Sequence, residues 1–103
     1  MAKFIALWGH PEDEPGFEKH YREVHLPLCE KWPGVQSMTT TKISATAMGD
    51  ESPYLLVFEA TFSSESALRD ALTSPEMRAA GKDAMGIAKQ YGARPTMLIG
   101  GDL

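Results

Sequence analysis

The longest amphipathic pattern in the chain runs from Pro15 to Trp32 and predicts a helix. At about 100° per residue, its apolar side chains form one stripe: Phe17, Tyr21, Val24, Leu28 and Trp32. His25 falls on the edge of this stripe, and His20 falls on its opposite flank. The following Pro33-Gly34 pair ends the helix.

A proline interrupts this predicted helix close to its second histidine. Pro27 has no N–H to donate, and its ring crowds the carbonyl of Glu23 four residues earlier. We therefore expect a kink near His25, with the Glu23 carbonyl unpaired by the helix. A polar ring beside a helix defect, on a partly buried margin, is where we expect a site.

Two segments alternate in the way that β-strands do. Phe4–Trp8 is apolar on both faces, and Tyr54–Phe62 is apolar on both faces except at Glu59. Val35–Ala47, rich in Thr and Ser, and Thr96–Ile99 are the other predicted strands. Both faces of the first two strands should therefore be covered.

Serines mark the starts of two further helices. Ser63 or Ser64 caps a short helix that ends at Leu72, and Ser74-Pro75-Glu76 begins a longer one that Gly92 ends. One face of the longer helix carries small and apolar residues: Met77, Gly81, Ala84, Ala88 and Tyr91.

The order of elements predicts an α+β fold, a ferredoxin-like β-α-β-β-α-β sandwich with its second helix split, in a single domain over residues 1–103. Its helices cover one face of an antiparallel sheet. The other face is also apolar, so we expect a homodimer that forms through the sheet faces.

Composition excludes several other classes of protein. The net charge of −4 argues against nucleic acid or an anionic membrane as the main partner. One cysteine excludes an internal disulfide, and no apolar run reaches transmembrane length or resembles a signal peptide. We expect a cytoplasmic protein.

The run FEKHYREVHLPL, followed by PGV, resembles the ethyl tert-butyl ether degradation (EthD) family. The resemblance covers about the first third of the chain, and these residues carry it: Phe17, His20, Tyr21, His25, Pro27, Leu28, Pro33 and Gly34. It implies a dimeric α+β barrel, a group that includes small isomerases, cofactor-free oxygenases and polyketide-tailoring enzymes. It slightly favours a functional role for His25.

The histidine-rich helix supplies the candidate catalytic residues: His25, Tyr21 and His20. Tyr21 and His25, one turn apart, could together bind a carbonyl or phenol and move a proton, or form a satisfied core pair. His20 and His25 are five residues apart, about 140° on a regular helix, so we expect no convergence and no metal site. Cys29 is predicted to be a buried thiol rather than a nucleophile.

Aromatic and methionine side chains could line an apolar pocket between sheet and helices, or simply fill the core. The predicted ligand-binding residues are Trp8, His10, Phe17, Met38, Phe58, Phe62 and Met85. Glu59 is predicted to form an ion pair with Lys42, Arg69 or Arg94, or to act as a base in the dimer interface.

These features support more than one function. The first is an enzyme without cofactors that binds a small apolar or oxygenated molecule, with His25 transferring a proton in an isomerisation or dehydration. The alternatives are a non-catalytic accessory or carrier protein of a degradation pathway, and a cofactor-independent monooxygenase. An open pocket reached by His25 would favour the enzyme, whereas a His25 bonded to backbone would favour the accessory protein.

Overall fold

The computed structural model describes all residues 1–103 and contains one four-stranded antiparallel sheet. The elements follow in this order: β1 (Ala2–Gly9), α1 (Glu14–His20), a π-helical turn (Tyr21–His25), α2 (Leu26–Cys29), β2 (Val35–Lys42), β3 (Tyr54–Phe62), α3 (Glu65–Leu72), α4 (Pro75–Tyr91) and β4 (Pro95–Gly101). The strand order β2-β3-β1-β4 is that of a ferredoxin-like fold, as the sequence predicts. None of the helices has the length and hydrophobicity that crossing a bilayer requires.

Local capping chemistry sets the helix boundaries. Asp13 accepts a hydrogen bond from the Gly16 N–H, while Ser64 and Ser74 cap α3 and α4 in the same way. Gly92 ends α4 with a positive φ of 75°, a conformation that costs glycine little. The first helix ends at Cys29, three residues before the predicted end at Trp32, and β2 ends at Lys42 rather than Ala47.

The core lies between the helices and one face of the sheet. Burial alternates strictly along β1, whose helix-facing residues are Ala2, Phe4, Ala6 and Trp8. On β3, Phe58, Ala60 and Phe62 point the same way and are almost inaccessible. The opposite face of the sheet carries the half-buried Ile5, Leu7 and Val57.

A π-helical turn forms where the sequence predicts a kink. Pro27 cannot donate to Glu23, and the chain widens into a five-residue turn immediately before it. A π-helical turn holds about one residue more than an α-helical turn, so a different set of side chains faces the core. The buried stripe consists of Phe17, Tyr21, His25, Cys29 and Trp32. The prediction that Val24 lies in the stripe and His25 on its edge is wrong, since Val24 is 42% exposed and His25 only 6%.

Candidate functional site

The π-helical turn brings the two histidines to the same side of the helix. The Leu26 N–H donates to the carbonyl of Tyr21, five residues earlier, so this turn closes between residues five apart. His20 and His25 are separated by that same spacing. The expectation that they diverge by about 140° is therefore wrong, because it assumed a regular α-helix.

Both histidines bond to one carboxylate, that of Asp83 on α4. His25 Nδ1 lies 2.9 Å from Asp83 Oδ2, and His20 Nε2 lies 2.9 Å from Oδ1 and 3.1 Å from Oδ2. The side chain of His25 is 7% exposed, that of Asp83 17% and that of His20 25%. The cluster therefore runs from the buried interior at His25 towards the surface at His20.

Burial lowers the pKa of His25, and this effect outweighs the neighbouring Asp83 carboxylate, which raises it. The imidazole is consequently neutral at neutral pH. Because Nδ1 donates its proton to Asp83, the remaining nitrogen, Nε2, carries a free lone pair and makes no hydrogen bond to the protein. A neutral histidine oriented by an aspartate has the properties of a general base.

His25 lines an apolar pocket of about 140 Å³ between the helices and the sheet. The pocket wall is made by β1, β3, β4, the first helix and α3–α4, and its residues are Phe4, Ala6, Trp8, His25, Cys29, Trp32, Phe58, Leu72, Met77, Ala80, Gly81, Ala84, Pro95 and Met97. It includes Trp8 and Phe58, which the sequence singles out as ligand-binding candidates.

Tyr21 adjoins His25 through its ring but not through its hydroxyl. The two ring centroids are 5.2 Å apart, with 36° between the planes. The hydroxyl is buried without a hydrogen-bond partner, and burial raises the pKa of Tyr21. Tyr21 lines a second cavity of about 170 Å³ beside Thr40 and Lys42, not the His25 pocket. The sequence suggested that the Tyr21 hydroxyl and the His25 imidazole contact the same ligand, but the structure places these two groups at different cavities.

Five other predicted ligand-binding residues lie outside the His25 pocket. His10 is exposed and bonds through Nε2 to the Ser52 carbonyl at 2.6 Å. Met85 is 67% exposed on α4. The remaining three lie in or beside the core, namely Phe17 and Phe62, which are fully buried, and Met38, which is half-buried.

The structure also shows the surroundings of Cys29 and Glu59. Cys29 is 1% exposed, and burial raises the pKa of its thiol to about 12, so it is protonated at neutral pH. Glu59 forms none of the ion pairs predicted for it. Lys42 instead contacts Glu18 at 2.9 Å and Glu14 at 3.4 Å, while Arg69 pairs with Glu65 on its own helix.

The sequence reasoning misses Asp83, the residue that joins the two histidines. The signal was present: Asp83 lies three residues after Ala80 and four before Ile87, so it falls on the buried stripe of α4. An acidic residue on a buried stripe requires a partner. The cluster does not have the arrangement of a metal site, and no other group of His, Cys, Asp or Glu side chains has one.

Two known proteins are similar to this chain over most of its length. An ethyl tert-butyl ether degradation family protein from Bacillus halodurans is 37% identical, with a TM-score of 0.89 over 100% of this chain and 99% of that one. An uncharacterized 11.0 kDa protein from the thcB–thcC intergenic region of Rhodococcus erythropolis is 28% identical over 85% of this chain and 84% of its own.

More distant structures share the fold. SnoaB from Streptomyces nogalater, a cofactor-independent oxygenase, is 13% identical with a TM-score of 0.65, covering 99% of this chain and 92% of its own. Others with this fold are described as dimeric ferredoxin-like proteins. Residues 9–90 match the EthD domain, and this match spans the π-helical turn and Asp83. The chain therefore belongs to the EthD family.

Proposed function

We propose that this protein binds a small apolar, oxygenated compound in the His25 pocket and transfers a proton with His25 as general base. The hydrogen bond between His25 and Asp83 is the observation that carries this proposal. It selects the tautomer with Nδ1 protonated and leaves the Nε2 lone pair available in an otherwise apolar cavity.

The surroundings of His25 support an enzyme over a non-catalytic carrier. A carrier needs only an apolar cavity, whereas the hydrogen bond to Asp83 fixes the tautomer and orientation of His25, as a general base requires. His25 bonds to a side-chain carboxylate rather than to backbone, and it lines a pocket rather than a closed core. An isomerase or dehydratase reaction needs proton removal of this kind, with no group beyond the protein itself.

Deuterium exchange tests the proposal without knowledge of the natural substrate. The purified protein would be mixed with a panel of small cyclic and aromatic ketones in D₂O, and deuterium uptake beside the carbonyl would be followed by NMR. We expect at least one ketone to exchange faster than in buffer, and His25→Gln to reduce that rate by about 10²–10⁴-fold. Asp83→Asn should also slow it, whereas Asp70→Asn, at an exposed acid outside the site, should not.

Exchange at the buffer rate with every ketone would contradict the proposal. A second candidate is a cofactor-independent oxygenase, which the fold shared with SnoaB supports. In that case the His25 lone pair would deprotonate a phenol-type substrate before oxygen reacts with it. Oxygen consumption in the presence of small phenols, lost in His25→Gln, would favour the oxygenase.

We also propose that the protein is a homodimer through the open face of its sheet. Ile5 pairs with Leu98, and Leu7 pairs with Val57, which places four apolar side chains together on the face that no helix covers. Leu98 is 46% exposed in the single chain. Light scattering should give about twice the 11.3 kDa chain mass, and Leu98→Asp should shift it towards one chain mass. A monomer at micromolar concentration would contradict this.

A further inference from the structure

The wall of the His25 pocket reaches the protein surface at one place. All but four of the residues that line the pocket are buried. Leu72 and Pro95 are half-buried, and only Gly81 on α4 and Met97 on β4 are exposed. Solvent therefore meets the pocket between α4 and β4, where Gly81 and Met97 lie.

Gly81 leaves a gap that a side chain would occupy. It lies inside the 17-residue helix α4, four residues after Met77 and three before Ala84, which also line the pocket. A glycine inside a helix costs stability relative to alanine. A Cβ added to Gly81 would meet no other atom within 4 Å, so packing within the protein does not require a glycine here. The glycine instead keeps the rim of the pocket open.

Met97 forms the other side of the opening with a flexible apolar side chain. It pairs with Ala6, which faces the helices, whereas the next residue, Leu98, pairs with Ile5 on the open face of the sheet. Met97 is 56% exposed, and an unbranched methionine side chain has three rotatable bonds. It can therefore move without a change in β4, and it lies on the opposite side of the sheet from the proposed dimer face.

We propose that ligands enter the His25 pocket between α4 and β4, through an opening whose width is set by Gly81 and Met97. This rests on the proposed function for what the pocket binds, and it adds the route of entry and two specificity-determining residues. The four residues that are not fully buried carry no charge, so an ion at this opening would lose water without gaining a partner. The opening therefore selects uncharged compounds and excludes those that are too wide to pass Gly81.

Quenching of tryptophan fluorescence by acrylamide tests the route without a natural ligand. The two tryptophans of the protein, Trp8 and Trp32, both line the pocket and are 1% and 5% exposed, so this small neutral quencher contacts them from inside the pocket. Gly81→Leu places a side chain in the opening. It should lower the quenching constant roughly twofold or more, because access then requires local opening of the fold.

Gly86→Leu is the matched control for this variant. Gly86 lies on the same helix, a Cβ there would also meet no atom within 4 Å, and it does not line the pocket. Both substitutions raise helix propensity by the same amount, so a difference in quenching between them does not come from helix stability. Equal quenching constants for the two variants would overturn the inference.

The other side of the opening gives an independent test. Met97→Ala shortens the rim and should raise the quenching constant. Met85→Ala, at an exposed methionine of α4 that does not line the pocket, should leave it unchanged. A constant for Met97→Ala no higher than that for Met85→Ala would also overturn the inference. Each pair of variants decides the question even if a member of the other pair does not fold.

This inference and the proposed function fail separately. Weaker quenching in Gly81→Leu than in Gly86→Leu, without deuterium exchange of any ketone, would leave the opening intact and contradict proton transfer by His25. Exchange that is lost in His25→Gln, with equal quenching in the two glycine variants, would do the reverse. Where ketones do exchange, Gly81→Leu should slow the wider ketones more than the narrower ones, and equal slowing of both would overturn selection by size.

Discussion

The carboxylate of Asp83 should contribute more to stability than any other acidic side chain of the protein, and Asp83→Ala tests this. The substitution removes the acceptor shared by two histidines on a different helix. His25 is affected most, because its side chain is only 7% exposed and water cannot readily replace the lost acceptor. His20, which is 25% exposed, can bond to water instead.

The expected cost follows from these exposures. A buried donor left without a partner costs about 1–3 kcal/mol, and the more exposed His20 contact adds about 0–1 kcal/mol. The two ranges sum to about 1–4 kcal/mol, so we expect a loss of about 2.5 kcal/mol in the free energy of unfolding, the middle of that range. For a domain of this size, such a loss lowers Tm by roughly 10–20 °C. Asp83→Asn should cost less, because the amide oxygen still accepts from one of the two rings.

Urea denaturation followed by tryptophan fluorescence measures this change, since Trp8 and Trp32 lie in the adjacent pocket. Asp70→Ala is the matched control: it removes an exposed acid without an ion pair and should change stability by no more than about 0.5 kcal/mol. An unchanged midpoint for Asp83→Ala would refute the reasoning. It would mean that burying the carboxylate costs as much as its two hydrogen bonds return.

Three further predictions concern other features of the structure. Because burial lowers the pKa of His25 below its usual 6.5, the unfolded chain takes up a proton at a higher pH than the folded protein does, and stability should fall as pH drops from about 7 to 5. The dependence of stability on pH should be weaker in His25→Gln. An equal dependence in the variant would contradict the lowered pKa of His25. Cys29, with a pKa of about 12 and 1% exposure, should react with a thiol reagent at pH 8 only after unfolding in urea; rapid reaction of the folded protein would contradict its burial. Gly92→Ala should destabilise the protein by about 1 kcal/mol or more in the same denaturation assay, since φ is +75° and the added Cβ would lie 3.3 Å from Glu12; no loss would show that the α4 end can relax.

Much of the fold could be predicted from the sequence because its signals are local. The predicted strand Tyr54–Phe62 has the same bounds as β3, and Ser74 and Gly92 mark the two ends of α4. The element order and the split second helix are also confirmed. Each of these depends on interactions within a few residues, which a linear pattern records directly.

The candidate site was only partly predictable. The sequence points to His25 and to the helix defect caused by Pro27, because a proline always removes a hydrogen bond from a helix. It does not specify how the helix relaxes. The π-helical turn places His25 in the protein interior and Val24 at the surface, and this decides which residues reach the pocket.

Only the tertiary structure determines which polar side chains pair with one another. Asp83 meets His25 across 58 residues of sequence, and Lys42 pairs with Glu18 rather than with Glu59. Such contacts depend on how two helices pack against a sheet, and small rotations of a helix change them completely. The sequence therefore determined the order of helices and strands and pointed to His25. The packing of α4 against the π-helical turn determined that the carboxylate of Asp83 orients this histidine.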